Sequence, residues 1–280
     1  MRIALAQLDS ALGEIDENVR RAREMIAEAR ARGAELIVFP ELSLSGYSLG
    51  AVPEDIALRA DDPAITAVSA GTDDIDVVLG FVEQGAVHTY NSAVYLESGR
   101  VAQVQRKTFL PTYGLFDERK HFSPGQSLSA FDTRLGRFAM VICNDAWQPT
   151  LSFIAVHDGA QLLIVPACSS LPANAEAQLQ VQRDWSDLLH FHGRFLQTHV
   201  AFVNRVGSEP GMTFWGGSRA VDPWGNVLAQ APLNEPAVTV VDLDLAAARR
   251  ARREMPLVKE ARLGLLCREL ERLTQAGGDL

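Results

Sequence analysis

The apolar run FAMVIC, residues 138–143, decides how the rest of the chain is interpreted. It is followed directly by NDAWQP, residues 144–149, which contains three polar residues and ends in proline. A short continuous apolar run is typical of a buried strand, and the residues after it indicate a turn into a helix. The sequence therefore predicts Cys143 at a strand end beside helix N–H groups, where α/β proteins often place reactive groups. A buried core thiol is the alternative, because free cysteine is among the most buried residue types.

Composition and charge restrict the class of protein. The chain has 280 residues, of which 47% are hydrophobic and 22% are charged, as in ordinary globular proteins. Its formal net charge of −9 argues against nucleic acid and anionic membranes as partners. No apolar stretch approaches the length of a membrane span, and the apolar part of residues 1–7 is too short for a signal peptide. We therefore expect a soluble, cytoplasmic protein.

The spacing of cysteine and histidine argues against a metal site. The three cysteines, Cys143, Cys168 and Cys267, include no CxxC pair, so neither a zinc site nor a disulfide framework is indicated. His190 and His192 are two residues apart in a predicted helix and therefore point to different faces. The prediction is a protein with no metal and no other cofactor.

Residues 3–39 have the pattern of a βαβ unit. Apolar strands are predicted over 3–7 and 35–39. Between them, over 14–32, apolar residues recur at helical spacing until Gly33 stops the helix. The two strands are therefore expected to lie parallel, joined by a right-handed crossover.

The remaining chain continues to alternate strands and helices. Further strands are predicted over 75–81, 91–96, 101–106, 138–143, 161–165, 200–204, 213–221, 227–230 and 237–243, and further helices over 63–70, 151–157, 178–197, 245–253 and 259–274. The long loop over 107–127 is rich in aromatic residues, which argues against disorder. We predict an α/β fold in which two mixed sheets face each other and helices cover the outside. One domain would span 1–280, with tail helices over about 245–280.

Three predicted strand ends carry chemically reactive side chains. Glu41 follows the second strand, Lys107 follows the strand over 101–106, and Cys143 ends the opening run. Taken singly, Glu41 and Lys107 are typical of solvent-exposed positions, and Cys143 is typical of a core. Together, a carboxylate, an ammonium and a thiol at three strand ends indicate that these groups converge on a single pocket.

The segments around these residues resemble the signatures of a known enzyme family. FPEL (39–42), KTFLP (107–111) and VICND (141–145) are similar to the three signature segments of the nitrilase, or carbon–nitrogen hydrolase, superfamily. Further segments match the same family in the same order: ERKHFSPG (118–125), NRVG (204–207), GGS (216–218) and DPWG (222–225). The resemblance covers roughly residues 1–245, and several separated motifs in order are more specific than any one of them.

The resemblance implies an αββα four-layer sandwich and a Glu–Lys–Cys triad. Cys143 would be the nucleophile, Glu41 the general base and Lys107 the cation that stabilises the tetrahedral intermediate. Glu118 would be a fourth polar residue that orients the lysine or the substrate. The Asn144 backbone N–H is a second candidate donor to the oxyanion. Because an amide carbon is a poor electrophile, the thiol must be a thiolate or lose its proton during attack.

The loop over 107–118 resembles the glutaminase domain of glutamine-dependent NAD synthetases. The similarity runs through KTFLPTYGLFDE and also includes Tyr47. In that group two tyrosines and a phenylalanine line the glutamine pocket, so Tyr47, Tyr113 and Phe116 are expected to bind substrate. Further candidates for the pocket wall are Asn144, Trp147 and Ser170.

Two departures from that group point away from glutamine. The chain stops at Leu280 without the ammonia-using synthetase domain, so we expect a free-standing enzyme. The stretch after Ser170 lacks the arginine that would hold the carboxylate of glutamine, and the next arginine is Arg183. A neutral or differently charged amide fits at least as well. We therefore predict an amidase that converts a small carboxamide to an acid and ammonia through a Cys143 thioester.

Two kinds of alternative remain open at this point. The same triad also serves hydrolases of N-carbamoyl compounds and nitrilases, which share the geometry of the intermediate. A protein of a different kind would be an ammonia-producing or regulatory subunit that acts with a separate synthetase. The resemblance also implies a homodimer or higher homo-oligomer, formed through helices beside the Cys143 and Cys168 strands and through the tail helix.

Overall fold

A computed structural model describes residues 1–48, 50 and 54–277 of the chain. The strands are β1 (Arg2–Gln7), β2 (Leu36–Val38), β3 (Asp76–Gln84), β4 (Thr89–Glu97), β5 (Arg100–Arg106), β6 (Phe131–Thr133), β7 (Gly136–Met140), β8 (Leu162–Ala167), β9 (His199–Asn204), β10 (Val206–Glu209), β11 (Met212–Trp215), β12 (Arg219–Val221), β13 (Val227–Gln230) and β14 (Ala237–Asp242). The α-helices are α1 (Ile15–Ala31), α2 (Pro63–Val68), α3 (Pro149–His157), α4 (Ala175–Leu196), α5 (Ala247–Glu254) and α6 (Leu263–Gln275).

The strands form two six-stranded mixed sheets with the same internal pattern. The first sheet has the order β14-β1-β2-β3-β4-β5, and the second has the order β6-β7-β8-β9-β12-β13. In each sheet, taken in this order, the first pair of neighbouring strands is antiparallel, the next two pairs are parallel and the last two pairs are antiparallel. The strands β10 and β11 form a separate two-stranded ribbon. The two sheets therefore have the same construction.

The sheets pack face to face because their central strands are apolar on both sides. In β1, Ile3 and Leu5 lie in the apolar layer between the sheets, whereas Ala4 and Ala6 belong to the cluster that includes residues of α1. The strand β8 alternates between an inner and an outer cluster in the same way. Side chains of a strand point alternately to its two faces, so a continuous apolar run supplies both layers.

Helices cover the outer face of each sheet and complete a four-layer αββα sandwich. The helix α1 buries Ala22, Ile26 and Ala29 against the first sheet, because residues three and four apart share one helix face. The helices α3 and α4 cover the second sheet, where Ala155 and Trp185 pack among its strand residues. The predicted fold class is therefore confirmed.

The predicted strand over 138–143 is wrong at its carboxyl end. The strand β7 ends at Met140, and Cys143 instead begins a 3₁₀ turn, Cys143–Trp147. The intervening Val141 and Ile142 enter the core on opposite sides of the sheet. An apolar pattern indicates which residues are buried rather than which residues are in a strand. It can therefore continue past the residue at which strand geometry ends.

The predicted strand over 213–221 is two strands rather than one. The strand β11 pairs with β10, whereas β12 pairs with β9 and β13. Between them, Gly216 and Gly217 have φ values of 70° and 62°, a left-handed backbone conformation that favours glycine. A Cβ added at Gly216 would lie 2.4 Å from the side chain of Gln7. Glycine at this position therefore also leaves room for the Gln7 side chain. The short edge strand β6 is a further element that the sequence pattern does not predict.

The carboxyl-terminal helices differ in burial. The helix α5 buries its alanines, whereas every residue of α6 is exposed, including Leu266 and Leu270. Residues 278–280 of the predicted tail lie outside the described residues, as does Leu49 in the Ser/Gly-rich stretch. The homodimer and the single domain over 1–280 stay predictions. Within the described residues, no helix has both the length and the hydropathy needed to cross a membrane.

Candidate active site

Glu41 lies beyond the carboxyl end of β2 and is 1% exposed. Its Oε1 atom accepts hydrogen bonds from Lys107 Nζ at 2.6 Å and from Asn91 Nδ2 at 2.7 Å. Its Oε2 atom accepts a hydrogen bond from the Cys168 N–H at 2.8 Å. Charge-assisted hydrogen bonds of this kind are short and directional. Three donors on two oxygens therefore fix the orientation of the Glu41 carboxylate.

The main chain around Glu41 passes very close to β3 at Gly80. A Cβ added at Gly80 would lie 2.2 Å from Leu42 N and 2.6 Å from Pro40 O. Only glycine permits such a close approach of two backbone segments. Leu42 has a φ of 47°, a conformation that L-residues rarely adopt. A tight turn packed on a glycine thus holds Glu41 at a defined place over the sheet.

Lys107 follows β5 directly and joins two buried carboxylates. Its Nζ atom lies 2.6 Å from Glu41 Oε1 and 2.7 Å from Glu118 Oε1, and its side chain is fully buried. Burial by itself lowers the pKa of Lys107, but the carboxylates of Glu118 and Glu41 outweigh burial and raise the pKa well above its ordinary value. Burial raises the pKa of Glu118, and Lys107 opposes that shift. Lys107 is therefore a charged ammonium held between two acids, away from solvent.

Cys143 begins the 3₁₀ turn after β7 with a left-handed φ of 46°. Burial raises the pKa of its thiol well above the ordinary value, and the Glu41 carboxylate adds to this increase, whereas Lys107 opposes it. The Cys168 N–H, which donates to Glu41, also favours the thiolate form of Cys143 and lowers its pKa. Because burial and the Glu41 carboxylate together outweigh the opposing groups, the resting thiol is protonated near neutral pH.

Asp145 joins the Cys143 turn to the loop after β5. Its Oδ1 atom accepts hydrogen bonds from the Phe109 N–H at 2.7 Å and from the Thr108 N–H at 3.0 Å. Burial raises the pKa of Asp145 to about 7, although the N–H groups of Phe109 and Thr108 act in the opposite direction. These bonds hold the turn that carries Cys143 against the loop that begins at Lys107.

The side chain of Asn144 contacts the same loop. Its Nδ2 atom donates to Phe109 O at 3.1 Å, and its Oδ1 atom accepts from the Tyr113 hydroxyl at 3.2 Å. Its backbone N–H is at the second position of the 3₁₀ turn, where helical N–H groups have no partner within the helix. The side chain of Asn144 thus joins the Cys143 turn to the loop after β5.

The three predicted pocket aromatics lie together beside Glu118. The Tyr47 hydroxyl donates a hydrogen bond to Glu118 Oε1 at 2.5 Å. The Phe116 ring lies edge-on to Tyr47 and Tyr113, with ring centroids 6.0 and 5.7 Å apart. The Phe214 ring packs against Tyr47 at 6.1 Å. These four rings form an aromatic wall, and a cavity of about 280 Å³ borders it at Tyr47.

The remaining predicted pocket residues, Trp147 and Ser170, lie near one another around Ser169. Trp147 is 38% exposed and packs edge-on against Trp185 at 5.2 Å. The Trp185 indole donates to Ser169 Oγ at 2.8 Å. Ser170 is half-buried and forms a β-bridge with Phe214. Ser170 is therefore adjacent to the aromatic wall. Trp147 packs edge-on against Trp185, which donates the hydrogen bond to Ser169.

Four groups at the site had no role predicted from the sequence: Asn91, Asp145, the Cys168 N–H and Phe214. Asn91 is a buried polar residue within β4, and the adjacent Ser92 is equally buried, so its residue type alone did not mark it as a site residue. The Cys168 N–H had no signal, because a main-chain donor carries no sequence signature. Phe214 lies in the region where the predicted strand over 213–221 was wrong.

The structure brings Glu41, Lys107 and Glu118, which are buried, together with the half-buried Cys143 in one cluster. A thiol beside a carboxylate and an ammonium is suited to nucleophilic attack, proton transfer and stabilisation of an oxyanion. Within the described residues, no group of three or more His, Cys, Asp or Glu side chains is arranged to hold a metal ion.

Comparisons with known proteins agree with this geometry. A family model described as carbon-nitrogen hydrolase matches residues 2–253. A glutamine-dependent NAD(+) synthetase from Xylella fastidiosa is 34% identical over 265 residues, which are 92% of this chain and 46% of the synthetase. The chain thus spans about half the length of that relative. An (R)-stereoselective amidase from a Pseudomonas species is 33% identical over 269 residues, with 95% of this chain and 93% of the amidase covered.

A solved structure of an amidase variant from Nesterenkonia sp. AN1 is also similar. The TM-score is 0.78 at 25% sequence identity, with 96% of both chains covered. That variant carries the acetamide moiety of fluoroacetamide, added covalently at the active site cysteine. The family model covers most of the chain, and the matched relatives include an amidase along nearly its whole length. The chain therefore belongs to the carbon–nitrogen hydrolase family of enzymes.

Proposed function

We propose that the protein hydrolyses a small carboxamide to a carboxylic acid and ammonia through a thioester on Cys143. The observation that carries the proposal is the buried network in which Lys107 bridges Glu41 and Glu118 beside the Cys143 thiol. The similarity to amidases supports the same class of reaction.

In the first half-reaction, Glu41 takes the proton of Cys143 as the sulfur attacks the amide carbon. Because the pKa of the thiol is raised, proton transfer accompanies the attack rather than preceding it. The carbonyl oxygen becomes an oxyanion, and the proposed donors to it are Lys107 Nζ and the Asn144 backbone N–H. Glu41 then returns the proton to the leaving nitrogen, the C–N bond breaks and ammonia departs.

In the second half-reaction, water replaces ammonia. Glu41 takes a proton from water as the water oxygen attacks the thioester carbon, and then gives that proton to the departing sulfur of Cys143. Glu118 exchanges no proton in this scheme. It accepts a hydrogen bond from Lys107 Nζ and another from the Tyr47 hydroxyl.

The charges around the site favour an uncharged acyl group. The buried cations Lys107 and Arg205 are already paired with buried carboxylates, and Arg183 is exposed on α4. The described residues that line the cavity at Tyr47 include no lysine or arginine. The one histidine among these described residues, His121, already faces the Asp117 carboxylate at 3.7 Å. A substrate carboxylate bound there would therefore lose hydration without gaining an unpaired cation. The aromatic wall instead offers apolar surface to an aliphatic or aromatic acyl chain.

A panel of amides tests this proposal. We expect ammonia release from propionamide, butyramide or benzamide, with kcat/KM at least about tenfold above that for glutamine, because an unpaired charge costs more than about 1.4 kcal/mol. An enzyme-coupled ammonia assay measures the rates, and an N-carbamoyl amino acid and an aliphatic nitrile complete the panel. Turnover of the carbamoyl compound or the nitrile alone would contradict the amide assignment.

A second candidate function is the production of ammonia from glutamine for a separate synthetase. The similarity to a glutamine-dependent NAD(+) synthetase over 92% of this chain favours it. This function predicts that glutamine is the best substrate of the panel. It also predicts that ammonia release rises when an ammonia-using NAD synthetase is added to the assay.

A further inference from the structure

A second buried ion pair lies near the aromatic wall, outside the proposed catalytic cluster. Arg205 follows β9 and Glu209 ends β10, and their side chains are 0% and 2% exposed. Arg205 Nη1 donates to Glu209 Oε1, and Arg205 Nη2 donates to Ser10 O at 2.6 Å. The guanidinium also lies 4.6 Å from the centroid of the Phe214 ring. A buried pair of this kind is costly unless further hydrogen bonds satisfy it.

The Glu209 carboxylate obtains those bonds from the main chain at Tyr47. Its Oε1 atom accepts from the Tyr47 N–H at 3.0 Å, and its Oε2 atom accepts from the Ser48 N–H at 2.6 Å. Gly46 has a φ of 77°, and a Cβ added there would lie 2.7 Å from Glu209 Oε1. Because residue 46 is glycine, the Glu209 carboxylate can approach the N–H groups of Tyr47 and Ser48. Glu209 fixes the main chain at the residue whose hydroxyl reaches Glu118.

From Tyr47 the contacts continue to the proposed oxyanion donor. The Tyr47 hydroxyl donates to Glu118 Oε1 at 2.5 Å, and the same oxygen accepts from Lys107 Nζ at 2.7 Å. Lys107 Nζ in turn donates to Glu41 Oε1 at 2.6 Å. Displacement of the Tyr47 main chain would therefore move its hydroxyl away from Glu118, and through Glu118 would loosen Lys107.

We propose that Arg205 and Glu209, here called the Arg205–Glu209 clamp, are positioning residues for the hydrolytic reaction. Glu209 holds the Tyr47 main chain, Tyr47 holds Glu118, and Glu118 holds Lys107 where the oxyanion forms. Arg205 keeps Glu209 in place and balances its charge. This inference rests on the proposed function, because Lys107 stabilises the oxyanion only in that reaction.

A purely structural role of the clamp makes a different prediction. A pair that only stabilises the fold would have the same effect on kcat whether or not Tyr47 carries a hydroxyl. A pair that acts through Tyr47 has little effect on kcat once that hydroxyl is removed. The coupling between position 209 and position 47 in a double-mutant cycle therefore separates the two roles.

The test uses Glu209→Gln, Tyr47→Phe and the double variant. We expect Glu209→Gln to lower kcat for the best amide by about 10- to 100-fold, because small displacements of a catalytic group have effects of this size. In the Tyr47→Phe background we expect a further loss of less than about threefold. An equal fold-loss in both backgrounds, or unchanged kcat in folded Glu209→Gln, would overturn the proposal.

Two additions keep the test decisive. If Glu209→Gln does not fold because Arg205 is left unpaired, the double substitution Arg205→Met/Glu209→Met removes both charges, and the same cycle is measured on it. If the wild-type protein releases no ammonia from any amide, the proposed function fails, and the clamp is tested by the rate at which iodoacetamide alkylates Cys143. Peptide mapping of the fragment that contains Cys143 measures that rate, because the exposed Cys267 thiol is alkylated as well. The clamp is supported if Glu209→Gln slows alkylation in the wild-type background but does not slow it further in the Tyr47→Phe background. Any other pattern rejects the clamp.

Discussion

Lys107→Met is expected to lower kcat by about 10²–10³-fold or more, since the ammonium is the proposed oxyanion donor. The substitution also leaves the buried carboxylates of Glu41 and Glu118 without the cation that bridges them. Breaking a buried ion pair by removing one partner lowers the free energy of unfolding by about 3–5 kcal/mol. Steady-state kinetics on the best amide and urea unfolding at neutral pH measure the two effects.

The stability deficit of Lys107→Met should depend on pH in a defined direction. Burial raises the pKa of Glu118, and Lys107 opposes this shift, so loss of Lys107 raises the pKa of Glu118 further. An acid whose pKa is higher in the folded state destabilises the fold above that pKa and ceases to do so below its unfolded-state pKa. The deficit should therefore shrink as the pH falls from neutrality through the acid range.

Lys259→Met is the matched control for this experiment, because Lys259 is exposed. It should keep the wild-type kcat and the wild-type free energy of unfolding. A Lys107→Met protein with wild-type kcat would remove Lys107 from the mechanism. A Lys107→Met protein with wild-type stability at neutral pH would show that the two carboxylates are not held together in solution.

Glu41→Gln is expected to lower kcat/KM by about 10²–10⁴-fold, the usual contribution of a general base. The amide has nearly the same shape as the carboxylate but cannot accept the proton of Cys143 or of water. Both Glu41 oxygens accept hydrogen bonds, one from Lys107 and Asn91 and the other from the Cys168 N–H. Whichever way the side-chain amide of the Glu41→Gln variant is turned, its NH₂ group must face a hydrogen-bond donor. The free energy of unfolding should therefore also fall by about 1–3 kcal/mol.

Glu271→Gln is the corresponding control, since Glu271 is exposed on α6. It should behave as wild type in ammonia release and in thermal unfolding. A folded Glu41→Gln variant that keeps kcat/KM within a few-fold of wild type would show that another group takes the proton of the nucleophile.

The strand ends that carry the site could be predicted from the sequence because their signals are local. Glu41 follows an apolar run, Lys107 follows the mixed strand pattern over 101–106, and Cys143 ends an apolar run, which places all three near the edges of sheets. The strands before Glu41 and Cys143 belong to parallel pairs in the two sheets, and parallel strands direct their carboxyl ends to one edge. The resemblance to a family then joined three separate positions into one expected site.

The contacts that support the site could not be predicted, because they connect residues that are distant in the sequence. Asn91 and Cys168 lie 50 and 127 positions from the Glu41 that they contact. Glu209 is 162 positions from the Tyr47 N–H that it accepts from. No periodicity or composition encodes such a pairing, which arises only when both sheets are assembled. The strand end at Cys143 was misplaced for a related reason, since core packing continues the apolar pattern into the turn.

The most direct test of the account is the intact mass of the protein quenched in acid during turnover of its best amide. We expect the wild-type protein to carry one added acyl group, located by peptide mapping on Cys143. Folded Cys143→Ala should show neither the adduct nor ammonia release, whereas Cys267→Ala, which removes an exposed thiol, should show both. Full amide turnover by Cys143→Ala, or an acyl group located on Cys168, would contradict the assignment of Cys143 as the nucleophile.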